Sequence, residues 1–244
     1  MLKVLLVPLL LLSGCGSDNA SIPSPDGSGK SGSLARFTIS GDHLFIVDHK
    51  NLHQYDIQDA SNPIAGNTIP IGVGIETIFP YGQNLFIGAQ DGMHIFDISN
   101  PGTPKKLSEY QHITSCDPVV VQGNYAYVTL RSGTDCRFGE NLLDVVDISN
   151  LKNPVNKATY GMLNPHGLGI DGTKLFVCEG AYGLKAFDSS DPSNLIEKTH
   201  ITDIHATDLI PLNGLLLVIG KDGLYQYDYS DIASLSLLSK IPIN

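Results

Sequence analysis

Apolar residues in this chain fall in short runs, each entered through a small turn residue, and one such pattern recurs five times. Gly41-Asp42-His43-Leu44-Phe45-Ile46-Val47, Gly82-Gln83-Asn84-Leu85-Phe86-Ile87-Gly88, Gly123-Asn124-Tyr125-Ala126-Tyr127-Val128-Thr129, Gly172-Thr173-Lys174-Leu175-Phe176-Val177-Cys178 and Asn213-Gly214-Leu215-Leu216-Leu217-Val218-Ile219 align without gaps. Each reads as a tight turn feeding an apolar strand. Every copy runs on into a second strand that closes on an aspartate, at Asp56, Asp97, Asp147, Asp188 and Asp228, and a turn rich in Ser, Asn, Asp and Pro follows at once. Such side chains bond their own backbone and Pro fixes φ. Seen singly, these carboxylates look functional. Five of them at one structural position are strand-end and turn devices.

The aspartates are spaced by 41, 50, 41 and 40 residues. That is the length of a four-stranded antiparallel blade. Leu34 to Asn244 holds 211 residues, room for five such units. The expected fold is therefore all-β, a five-bladed β-propeller of four-stranded antiparallel blades. The third copy predicts strands over Pro118–Val121, Tyr125–Leu130, Leu142–Ile148 and Val155–Met162. Both ends of the segment are in phase with the repeat, so blade 1 is expected to pack on blade 5 and close the ring.

The segments Leu44-Phe45-Ile46-Val47-Asp48 and Leu143-Asp144-Val145-Val146-Asp147-Ile148-Ser149, with their Ser-Asn-Pro turns, resemble the LVIVD-repeat family. The resemblance covers essentially everything after residue 33, with the fifth copy a looser match. It implies a surface or exported propeller and no agreed enzymatic activity.

The first 33 residues lie outside this pattern. Lys3 precedes an apolar run from Val4 to Leu12, too short to cross a bilayer core of about 30 Å as a helix, which takes about 20 residues. It reads as the core of a signal peptide over residues 1–14. The run ends in Leu12-Ser13-Gly14-Cys15, which resembles a bacterial lipobox, so Cys15 is expected to be lipidated and to become the first mature residue. By the same resemblance, Gly16 rather than Asp after the cysteine favours the outer membrane in a Gram-negative host. Residues 15–33, rich in Ser, Gly, Pro, Asp and Asn, cannot bury enough apolar surface to fold and are expected to be a flexible tether. The partner implied is a membrane, held through acyl chains on Cys15.

Removal of the signal peptide leaves 14 Lys and Arg against 25 Asp and Glu, a net charge of −11. A nucleic-acid face is unlike that balance.

In an antiparallel blade of strands a to d, the entry into strand a and the b-to-c turn open on the same face. Counting back from each aligned turn places Glu76, Asp117, His166, and His205 with Asp208 at the entries, and Arg131 and Glu179 at b-to-c turns. These seven residues form the candidate ligand-binding mouth. The third copy carries its extra residues in the b-to-c segment from Arg131 to Asn141, and irregular loops on a regular scaffold are where repeat proteins place specificity. Cys116 and Cys136 fall on that same face, and in an exported protein they are expected to form a disulfide pinning the long loop. Cys178, inside a strand, is a buried apolar residue.

The leading function is a non-catalytic binding or scaffold module at the cell envelope for an unknown protein, peptide or glycan. The sequence has no Trp, which disfavours a sugar platform but leaves Tyr81, Tyr125 and Tyr182. The alternative is a glycoside hydrolase in which Glu76, Asp117 and Asp208, with His166, converge as acid and base. A metal site at His166, His205 and Asp208 has no compact ligand motif behind it. Nothing in the chain calls for a cofactor, since phosphate loops and nucleophile elbows are absent.

Overall fold

The computed structural model describes residues 32–111, 118–132 and 140–243. They form twenty strands. Blade 1 holds β1 (Phe37–Ser40), β2 (His43–Val47), β3 (Asn51–Asp56) and β4 (Ile64–Pro70); blade 2 holds β5 (Ile75–Tyr81), β6 (Asn84–Ala89), β7 (Gly92–Asp97) and β8 (Lys105–Gln111). Blade 3 holds β9 (Val119–Gln122), β10 (Tyr125–Leu130), β11 (Leu142–Asp147) and β12 (Val155–Gly161). Blade 4 follows with β13 (Leu168–Asp171), β14 (Lys174–Cys178), β15 (Leu184–Asp188) and β16 (Ile196–Ile201), and blade 5 with β17 (Ala206–Leu212), β18 (Leu215–Gly220), β19 (Gly223–Asp228) and β20 (Ser236–Pro242). Each blade is one antiparallel sheet of four consecutive strands. The five-bladed propeller expected from the repeat is the fold, and the third copy's strands lie within a residue of their expected limits.

The repeated turns explain why the same blade forms five times. The a-to-b turn needs a left-handed residue: Gly41, Gly82, Gly123 and Gly172 have φ between 57° and 60°, and Asn213 takes φ 47° in the fifth copy. Asn tolerates that region because its short amide bonds locally. At the far end of strand c, one carboxylate oxygen accepts the N–H two residues on: Gln58 to Asp56 at 2.9 Å, Ser99 to Asp97 at 2.8 Å, Ser149 to Asp147 at 2.9 Å, Ser190 to Asp188 at 3.0 Å and Ser230 to Asp228 at 2.7 Å. Hydrogen bonds from Ser99, Ser149, Ser190 and Ser230 hold the last four carboxyls below the usual carboxylate range, led by the hydroxyl at Asp147 and by the backbone N–H at the other three. The five aspartates are turn devices.

Apolar side chains fill the spaces between blades. Phe45, Val47 and Leu52 of blade 1 meet Ile75, Ile78, Leu85 and Ile87 of blade 2. Blade 2 meets blade 3 through Phe86, Met93 and Ile95 against Val119, Val121, Ala126 and Val128. Two further clusters join blade 3 to 4 and blade 4 to 5. The inner strands pack in sequence, β1 on β5, β5 on β9, β9 on β13 and β13 on β17.

Among the described residues no fifth cluster joins blade 5 to blade 1. The expected packing of blade 1 on blade 5 is not seen among them: Phe37 and Ile39 of β1 are 60% and 49% exposed, and Ile219 of β18 is 45% exposed.

Candidate functional site at the propeller mouth

Strands β5 and β17 are entered through a β-bulge, between Ile75 and Thr77 and between Ala206 and Asp208. A bulge inserts one unpaired residue and re-aims its neighbours. Glu76 is the extra residue in β5. In β17 the extra residue is Thr207, and the side chain of Asp208 turns toward blade 4.

Asp208 lies between two glycines. A Cβ placed on Gly32 or on Gly167 would collide with its carboxylate, so both positions admit only glycine while Asp208 keeps this place. Ser33 Oγ donates to Asp208 Oδ1 at 3.3 Å and accepts the N–H of Leu168 at 2.8 Å. Burial pushes the Asp208 carboxyl up to about 6, against the pull of the backbone N–H groups of Leu209 and Leu34 and the Ser33 hydroxyl. Ser33 is itself buried, one residue before Leu34, where the folded part was expected to start.

His166 enters β13 with its backbone tied on both sides. Its N–H donates to the Cys178 carbonyl at 2.7 Å, and its carbonyl accepts the Thr129 hydroxyl at 2.8 Å. The Arg131 guanidinium approaches Nδ1 at 3.3 Å. The same guanidinium nitrogen is 3.5 Å from Nε2, and because arginine only donates, its approach to the ring favours the neutral imidazole. Burial, then Arg131, then His205 lower the His166 pKa to about 4. Residues from blades 3, 4 and 5 thus share one neighbourhood at the mouth.

Glu179 is also there, but sealed. It is fully buried, accepts the N–H of Asn164 at 2.7 Å and of Leu163 at 3.1 Å, and lies 3.6 Å from Lys185 Nζ. It orders the loop that carries His166. Cys178, buried beside this group, has its thiol pushed well up by burial and by Asp208 and Glu179.

Arg131, His166, His205, Asp208 and Glu179 therefore lie in one neighbourhood. No hydrogen bond or ion pair among the described residues joins Glu76 to them. Asp117 and the Cys116–Cys136 pair lie outside the described residues, as does Cys15. Ser33, Thr129 and Lys185 complete the site and carried no sequence signal: Ser33 sits in a Ser/Gly run, and the other two are ordinary strand residues.

The family model for the LVIVD repeat matches residues 29–67, 77–111 and 115–161, the first three blades. The chain carries LVIVD repeats. In this LVIVD-repeat protein the fourth and fifth blades reproduce the turn geometry of the first three. No curated protein shows a match to the sequence. Solved structures do resemble it. A functionally unknown protein from Desulfotomaculum acetoxidans superposes with a TM-score of 0.71 at 11% identity, over 85% of this chain and 69% of that one. A protein from Lactobacillus plantarum gives 0.66 at 16% identity, over 84% and 69%. Apo AztD from Citrobacter koseri gives 0.60 at 14%, over 83% of this chain and 60% of its own. At these identities the likeness concerns the fold alone. The LVIVD-repeat propeller is suited to a binding or scaffold role.

Proposed function

We propose that this LVIVD-repeat protein is a lipid-anchored, non-catalytic binding module of the bacterial cell envelope, taking a protein, peptide or glycan at the mouth of its propeller. The observation that carries this reading is the convergence of Arg131, His166 and His205 from three successive blades, beside carboxylates already occupied by backbone donors. A neutral imidazole and a guanidinium on one rim favour an acidic or hydroxyl-rich group on the ligand. The segment from Arg131 to Asn141, which departs from the repeat in length, would supply specificity. Anchoring rests on the lipobox-like Leu12-Ser13-Gly14-Cys15 and the polar stretch after it. That stretch would hold the mouth away from an outer membrane.

The test is capture of envelope proteins and a glycan array by the full-length chain, beside an R131A/H205A variant. A specific ligand lost in the variant supports a mouth site; capture unaffected by it moves the site elsewhere. Labelling with a radioactive fatty acid, lost in C15A, tests the anchor. A glycoside hydrolase has one observation on its side, the Asp208 carboxyl raised to about 6, as a general acid requires. Turnover of any captured glycan, abolished in D208N, would favour that reading.

A further inference from the structure

The four seams between blades are built alike, and among the described residues the two faces at the ends of the array have no such seam. In each seam the strand-a residue four positions before the a-to-b turn residue enters a cluster on the previous blade. Ile78, Val119, Leu168 and Leu209 do so and are 0%, 0%, 0% and 2% exposed. The same repeat position in blade 1 is Phe37, which is 60% exposed.

The receiving side can be traced as closely. Leu209 shares its cluster with Phe176, Cys178 and Leu184 of blade 4. Cys178 pairs with Leu184 across β14 and β15. By repeat position, the equivalents in blade 5 are Leu217, Ile219 and Leu224, and Ile219 pairs with Leu224 across β18 and β19 in the same register. Those three side chains line an open apolar groove of about 200 Å³ on blade 5, with Ile210 and Asp208 at its edge. A dry cavity of about 150 Å³ accommodates a benzene ring, so this groove has room for a phenylalanine side chain.

We propose that blade 5 of one molecule receives blade 1 of a second copy of this chain, with Phe37 seated against Leu217, Ile219 and Leu224. The chain makes this kind of seam four times internally and displays one half of it at each end, so the two faces are complementary by repetition. The contact is head-to-tail: one molecule's groove takes the next molecule's aromatic ring. A closed ring or an open row follows from the rotation between copies. The inference is independent of the ligand at the mouth.

The test uses two single variants of the full chain in mild detergent, F37D and I219D, followed by sedimentation velocity with far-UV circular dichroism as the control of folding. Both residues are exposed, so both variants keep the fold. The unaltered chain self-associates, and each variant alone loses self-association by at least tenfold in dissociation constant. Mixed together, the two give a one-to-one dimer, because F37D still offers an intact groove and I219D an intact Phe37. Three results overturn the proposal: an unaltered chain that is monomeric at about 100 µM; oligomers that survive in both variants; or a mixture that stays monomeric.

Discussion

Removing Glu179 is expected to destabilise the mouth from within, although the residue sits where a ligand-binding carboxylate was expected. It is 0% exposed, and its carboxylate holds the N–H groups of Asn164 at 2.7 Å and Leu163 at 3.1 Å. Alanine leaves both without a protein acceptor, at about 1–3 kcal/mol for a buried group and less where water reaches it. Lys185 is not stranded, because Glu197 stands 3.2 Å from it. The larger cost of breaking an isolated buried ion pair therefore does not apply in full. Together these give about 2–4 kcal/mol for Glu179→Ala, and about 1–2 kcal/mol for Glu179→Gln, which keeps the volume and one acceptor oxygen. Urea unfolding at constant slope measures the loss. Because blades can open one at a time, hydrogen exchange at the Leu163 and Asn164 amides localises it, with about tenfold faster exchange for each 1.4 kcal/mol. Alanine within about 0.5 kcal/mol of the unaltered protein, with exchange unchanged, would refute the reasoning.

Equivalent positions in successive blades should differ in cost: Ile78→Ala, fully buried, loses about 2–4 kcal/mol, whereas Phe37→Ala, 60% exposed, costs the isolated chain under about 1 kcal/mol by thermal or denaturant unfolding. Asp208, with its carboxyl raised to about 6, holds a proton in the fold that the unfolded chain releases near pH 4. Its contribution therefore weakens as pH rises from about 4 to 6 and is level above that, and D208N should flatten this limb in unfolding midpoints taken at pH 4 and 7.5. His166 works in the opposite sense: with a folded pKa of about 4 it favours the fold above pH 6.5, and this is lost as pH falls through 4. Proton NMR should find its ring neutral at pH 5.5 and the R131A variant titrating higher than the unaltered chain but still below 6.5, because burial remains; a His166 midpoint near 6.5 in the unaltered chain would remove the basis for a neutral imidazole at the mouth.

The blade was written into the sequence because its determinants are local. A left-handed turn residue, an apolar strand and an aspartate that accepts the N–H two residues later all act within a few positions, so five copies could be aligned and their strands placed to within a residue. The mouth was partly legible for the same reason. Strand alternation decides which turns share a face, and Arg131, His166, Glu179, His205 and Asp208 do meet there. Their roles were decided by tertiary contacts. Glu179 is a loop-ordering residue because the Leu163 and Asn164 amides fold back on it, and Asp208 is held between Gly32 and Gly167, which are 176 and 41 positions away. Closure was likewise beyond the sequence: being in phase with the repeat makes the two end faces alike in kind, but whether they meet depends on rotations accumulated over five blades. Phe, Ile, Leu and Val side chains fill the four internal seams while Phe37 and Ile219 stay in the open, an outcome of packing in three dimensions that no local pattern encodes.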